Sequence, residues 1–268
     1  MPQDLRAGFS TYWTSFGQGP RRALAIHCSL AHSGSWGGMA RHLSGALTLR
    51  ACDMPGHGRS APWDKRGEIQ EVTARIAADL CDGPTDLIGH SFGATVALRL
   101  AVMRPDLVRS LVLIEPVFFA AGFAADPGAR AAFDVAMGGF AKAMAAGDTQ
   151  DAARAFTAVW GAGAAWGDVP EPQRRAMAAQ MPLIDAAQPV LYEDAAGLLV
   201  DGVLQAVTVP ALLIEGSQSP AIIPAINAGL AARLPQAERA VILGAGHMAP
   251  ITHPAQVSAE ILRFLRSA

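Results

Sequence analysis

The 268-residue chain has little of what several special classes of protein require. Charge is sparse, at 16% of residues, and the 21 basic and 23 acidic side chains leave a formal net charge of -2. With no basic excess and no run of like charge, there is no electrostatic footprint for nucleic acid or an anionic membrane. A small neutral or weakly charged ligand is the expected partner. Cysteine is scarce as well: Cys28, Cys52 and Cys81 are odd in number and form no C-x-x-C pair. Neither a disulfide framework nor a zinc site is expected, and a reducing compartment suits these thiols. Long hydrophobic runs are missing, since the longest, near 111–125, is interrupted by Glu115 and Pro116 and is too short to span a bilayer. Residues 1–16 lack the basic start and apolar stretch of a signal peptide, so a cytoplasmic protein is expected.

What is present is apolar surface, at 51% of residues, enough to offset the ordering entropy that keeps polar chains disordered. Short apolar runs bounded by Gly, Pro or Asp alternate with helical patterns, the signature of a mostly parallel sheet covered on both faces. Strands are predicted at 9–17, 23–27, 47–53, 86–89, 108–115, 211–215 and 239–243. Helices are predicted at 36–43, 68–81, 94–103, 221–234 and 254–266, the last with Val257, Ile261 and Phe264 on one face. Between 117 and 206 the β-branched signal gives way to Ala, Gly and Met, which marks a helical insertion with helices at 131–146 and 151–160. The expected α/β architecture is one core, 1–116 and 207–268, carrying a lid at 117–206. In that lid Phe118, Phe119, Trp160 and Trp166 are candidate apolar walls.

Gly89-His90-Ser91-Phe92-Gly93 fits G-x-S-x-G between a predicted strand and a predicted helix. A sharp turn there projects Ser91 from the sheet edge and leaves the helix's first amides near any developing charge. A serine hydroxyl needs a base, itself oriented by a carboxylate. Of the seven histidines, His247 in Gly244-Ala245-Gly246-His247 follows the final strand and would reach the same edge. His27, His32, His57 and His90 read as structural or pocket-lining, and His42 and His253 as helix-surface or cap residues.

With these motifs in place the chain resembles the α/β-hydrolase superfamily over nearly all its length. His27-Cys28-Ser29-Leu30 resembles the oxyanion loop, and Asp53-Met54-Pro55-Gly56-His57-Gly58-Arg59-Ser60 the D-x-P-G-x-G-x-S turn. The resemblance implies oxyanion-hole donors at the backbone N–H groups of Ser29 and Phe92, no cofactor and no metal. Serine at the elbow sets the chain apart from the dehalogenase and epoxide-hydrolase branches, which use aspartate there.

Two departures matter. The acid's usual place after the seventh strand reads Gly216-Ser217-Gln218-Ser219-Pro220, with Ser219 where aspartate is common. Some relatives instead carry the acid at the end of the sixth strand, about 24 residues past the nucleophile, which here is Glu115. Glu115 is favoured as the orienter of His247, with Glu215 the alternative. Cys28 stands where glycine is usual, and no base is implied that would make it a nucleophile. The expected function is a serine hydrolase cleaving a carboxylic ester or a related activated carbonyl of a small apolar substrate, through an acyl-enzyme, with Ser91, His247 and Glu115. A carbon-carbon hydrolase, enol-lactonase or thioesterase could use the same residues, and a ligand-binding member of the fold would need no catalysis.

Overall fold

Apolar residues that run continuously rather than alternating with polar ones mark strands buried on both faces, and those strands form the centre of the molecule. The structure is a computed structural model that describes residues 3–268. Its strands are β1 (Gln3–Arg6), β2 (Phe9–Phe16), β3 (Arg21–Ile26), β4 (Leu47–Cys52), β5 (Thr85–His90), β6 (Val108–Ile114), β7 (Ala211–Gly216) and β8 (Ala237–Ile242). They make one sheet in the order β1-β2-β4-β3-β5-β6-β7-β8. The β1–β2 and β2–β4 pairs are antiparallel and all others parallel.

The helices are α1 (Gly37–Leu43), α2 (Ile69–Asp79), α3 (Phe92–Met103), α4 (Phe119–Ala125), α5 (Pro127–Ala145), α6 (Thr149–Trp160), α7 (Glu171–Ala186), α8 (Gln188–Tyr192), α9 (Ile222–Ala231), α10 (Ala249–Thr252) and α11 (Pro254–Phe264). Side-chain alternation along the strands divides the core in two. Val112 and Ile114 of β6 pack with Met39 and Leu43 of α1 and Val257 and Ile261 of α11. Leu111 and Leu113 face the opposite layer, with α2, α3, α9 and the helices α4–α8 that connect β6 to β7. No helix among the described residues is long and apolar enough to cross a membrane.

The predicted order holds, and the differences have local causes. Strand β1 was not predicted, and helix α4 lies in an apolar run that resumes after Glu115 and Pro116 without a helical period to mark it. Helix α5 starts at Pro127 rather than 131, because Asp126 accepts from the N–H of Gly128 at 2.9 Å and proline suits the first turn. Helix α3 starts at Phe92 rather than 94, and β6 ends before Glu115.

At the sheet edge that begins the parallel strands, fully buried Asp86 pairs with Arg21 and Arg109, both at 2.6 Å, and accepts from Ser110 at 2.7 Å. Arg21 also donates to the carbonyls of Leu265 and Ala268, so one carboxylate ties three strands to the last helix. Removing it leaves two partly buried guanidinium groups with carbonyl partners but no counter-charge, and Asp86→Ala should cost about 3 kcal/mol in urea denaturation. A loss under about 1 kcal/mol would contradict that account.

Candidate active site

The turn from β5 into α3 is tight enough to exclude side chains on either side of it. A Cβ at Gly89 would run into Ala94, and one at Gly93 into the carbonyls of Ile26 and His27. Ser91 between them takes φ 56°, ψ -118°, a conformation that costs a non-glycine residue about 1–3 kcal/mol and that persists only where its surroundings enforce it. Its N–H is held by the carbonyl of Ile114 on β6, at 2.9 Å. The turn therefore presents the hydroxyl at the ends of the central strands.

His247 reaches that hydroxyl from the loop after β8. Its Nε2 lies 3.0 Å from Ser91 Oγ, and its Nδ1 lies 3.0 Å from Glu115 Oε2. Because a carboxylate only accepts, Nδ1 carries the proton and donates to Glu115, which leaves the Nε2 lone pair facing the serine hydroxyl. Ser91, His247 and Glu115 are 6%, 5% and 0% exposed, so water does not compete with this chain of bonds. Glu115 itself sits at φ 53°, and its other oxygen accepts from Gly216 N–H at 2.5 Å and from Ser219 Oγ at 2.6 Å.

The alternative acid is engaged elsewhere: Glu215 accepts from Asn227 at 2.7 Å and from Arg239 at 3.1 Å. Ser219 is not a partner of the imidazole either; it supports Glu115. Neither role was visible beforehand, because each depends on a neighbour distant in sequence.

The remaining predicted positions converge on the same edge. Asp53 accepts from Ser33 N–H at 2.6 Å and Arg59 N–H at 2.8 Å, clamping the loop after β3 to the turn after β4. No partner among the described residues is found for the main-chain N–H of Ser29, and Phe92 N–H, in the first turn of α3, is an orphan donor of the helix. Leu30, next to Ser29, is again left-handed, at φ 64°. Cys28 is buried, and burial pushes its thiol up to about 12, which leaves it inert as a nucleophile near neutral pH.

Three other histidines brace the site. His90 Nε2 donates to the carbonyl of His247 at 2.9 Å, and the two rings lie 5.4 Å apart. His27 Nδ1 donates to the carbonyl of Cys28 at 2.7 Å, and its Nε2 accepts from Met54 N–H at 3.0 Å. His57 borders the pocket. His42 lies exposed on α1, and His253 occupies the N-cap position of α11 without a capping bond from its side chain.

Ser91 stands where two pockets meet. One is walled by apolar side chains including Phe119, Met137, Phe140, Trp160 and Leu191. The other is more open and includes His32, Thr157, Gln173 and His247. Phe119 and Trp160 thus border the site as expected. Phe118 is fully buried in the core, and Trp166 borders neither pocket. Phe140 and Phe156 were missed, since helical spacing alone does not tell which face of a helix meets a cavity.

A strand-turn-helix serine with this sheet order defines an α/β hydrolase. The chain belongs to the alpha/beta hydrolase family, whose model matches residues 23–260. It is 28% identical over 265 residues to a pimeloyl-[acyl-carrier protein] methyl ester esterase of Nitrosospira multiformis, covering 96% of this chain and 98% of that one. It is 42% identical to the lipase LipV of Mycobacterium tuberculosis over 101 residues, a match spanning 37% of this chain and 38% of the lipase. Among solved structures, a serine hydrolase involved in carbazole degradation superimposes with a TM-score of 0.72 at 20% identity, covering 100% of this chain and 98% of that one.

The bracing histidines carry a pH signature. Burial first, and neighbouring histidines next, push His27 and His90 from 6.5 down to about 3. Between those values the unfolded chain binds protons that the folded protein refuses, so stability falls as pH drops below 6.5. Each residue should cost about 2 kcal/mol by pH 5. Urea denaturation at pH 7 and pH 5 checks this, and equal stabilities would refute it.

Proposed function

We propose that this protein is a serine hydrolase that cleaves carboxylic esters with a small, largely apolar acyl group, using no cofactor. The observation that carries the reading is the unbroken line of 3.0 Å hydrogen bonds from Ser91 through His247 to Glu115. The esterase and lipase named among its relatives support it.

In this reading Ser91 Oγ attacks the ester carbonyl carbon while its proton passes to His247 Nε2. The carbonyl oxygen takes up the electron pair and accepts from the backbone N–H groups of Ser29 and Phe92. Glu115 stabilises the imidazolium. Collapse of the tetrahedral intermediate breaks the bond to the alcohol oxygen, which leaves with the proton from His247, and an acyl-serine remains. Water, deprotonated by the same nitrogen, releases the acid and restores Ser91.

Helices α4–α8 act as the lid, forming much of the wall of the apolar pocket that takes the acyl group. Among the described residues no Lys, Arg, Asp or Glu lines that pocket, so an acyl chain ending in a charge would be desolvated without a partner. A binding-only role would be favoured if Glu115 turned away from His247, and the short contact weighs against it. Three free thiols suit the cytoplasm, where we place the protein.

A fluorophosphonate should label the protein stoichiometrically, with the adduct on Ser91 by mass spectrometry, and p-nitrophenyl butyrate should be hydrolysed. Labelling that persists in Ser91→Ala would end the assignment. Glu115→Gln should lower kcat by up to about 10⁴ without lowering the melting temperature by more than a few degrees. Because Ser219 already touches Glu115, Ser219→Asp in that background should restore at least about tenfold, the order of one charge-assisted hydrogen bond. Near-normal turnover in Glu115→Gln would move the acid's role elsewhere.

A further inference from the structure

The apolar pocket beside Ser91 is bordered by a buried imidazole that the hydrolytic chemistry leaves unused. His57 borders it with Ile69, Phe92 and Leu183, and only 5% of the residue is exposed. Its Nδ1 donates to the carbonyl of Pro55 at 2.9 Å. That bond holds the proton on Nδ1 and makes Nε2 a bare acceptor. Among the described residues no group donates to Nε2. Burial holds the ring's pKa below its usual value, so it is neutral near pH 7.

The ring's position along the pocket follows from its neighbours. It meets His27 edge-on, with ring centroids 5.2 Å apart, and His27 holds the carbonyl of Cys28. His57 therefore sits beside the base of the loop that carries Ser29, near where the scissile carbonyl would lie. An acceptor in an apolar pocket loses its hydration when the pocket fills, and it recovers that loss only if the occupant brings a donor. The donor is uncharged, because no carboxylate among the described residues lines the pocket to accompany an ammonium group. A hydroxyl close to the carbonyl meets both conditions.

We propose that His57 is a specificity-determining residue whose Nε2 accepts a hydrogen bond from a hydroxyl on C2 or C3 of the acyl group, so that the preferred substrates are esters of hydroxy acids. The inference rests on the ester-hydrolase reading above, whereas the subsite itself is read from His57 alone.

Initial rates by pH-stat on ethyl butyrate, ethyl 2-hydroxybutyrate, ethyl 3-hydroxybutyrate and the O-methyl ethers of the two hydroxy esters test it. The ethers keep the inductive effect of the oxygen and remove the donor. One hydroxy ester should exceed both its ether and ethyl butyrate in kcat/KM by about tenfold, the worth of one good hydrogen bond. In His57→Phe the hydroxy-to-ether ratio should fall to about one, and in His57→Gln, whose carbonyl oxygen still accepts, it should stay above that. The ratio is internal to each preparation, so a loss of folded protein does not mimic the effect. A ratio near one in the unaltered enzyme, or one unchanged in His57→Phe, overturns the subsite while ester turnover upholds the hydrolase reading. No turnover of any ester, with Ser91 unlabelled by a fluorophosphonate, overturns both.

Discussion

A carboxylate sealed from water must have its charge met by donors on all sides, or it will not stay charged. Glu115 is such a group, fully buried at the end of β6. Its donors come from three places: Gly216 at the end of β7, Ser219 in the turn that follows, and His247 beyond β8. One side chain therefore ties the end of β6 to two later segments of the chain, the farther of them 132 residues away. The strand register does the rest, because Glu115 N–H bonds Ile214 on β7 and Ser91 N–H bonds Ile114 on β6. The left-handed turns at Ser91 and Glu115 are held by adjacent strands of one sheet, and neither can relax without breaking a ladder.

Local pattern made much of this legible. The strand-turn-helix context of the G-x-S-x-G segment, the apolar runs of the central strands and the placement of His247 after the last one all depend on nearby residues. Glu115 could be favoured only through the family resemblance, because some relatives carry the acid at the end of the sixth strand, and Glu215 could not be dismissed until Asn227 and Arg239 were seen to hold it. Such pairings are long-range and leave no periodic trace. Strand β1 went unread because Gln-Asp-Leu-Arg has a single apolar residue, and its partner across the edge, not its composition, makes it a strand. Helix α4 was hidden in the opposite way, in an apolar stretch that continues from β6 almost without a break.

The buried histidines follow from the same economy of space. His90 reaches the main-chain carbonyl of His247, and His27 joins the carbonyl of Cys28 to the N–H of Met54. A neutral imidazole is suited to this, since it offers one donor and one acceptor on a rigid ring and needs no counter-ion. Lysine or arginine would bring a charge into a site that already holds one carboxylate. Serine or asparagine would be too short to bridge the same loops while filling the same volume. The arrangement depends on the His27 and His90 rings staying unprotonated.

The two pockets at Ser91 give the ester-hydrolase reading a direction. In an acyl-enzyme the acyl group stays bound while the alcohol leaves and water enters, so the two halves of the substrate make opposite demands. The acyl half gains from enclosure, which buries apolar area at about 25 cal/mol per Å² and excludes water from the ester bond. The alcohol half gains from an exit. The smaller, apolar pocket under α4–α8 meets the first demand, and the wider one, bordered by His247, Thr157 and Gln173, meets the second. His247, the proton donor in the proposed reaction, lines the wide pocket and not the apolar one. The proton donor and the exit thus lie on the same side of Ser91, which is the geometry a departing alcohol requires.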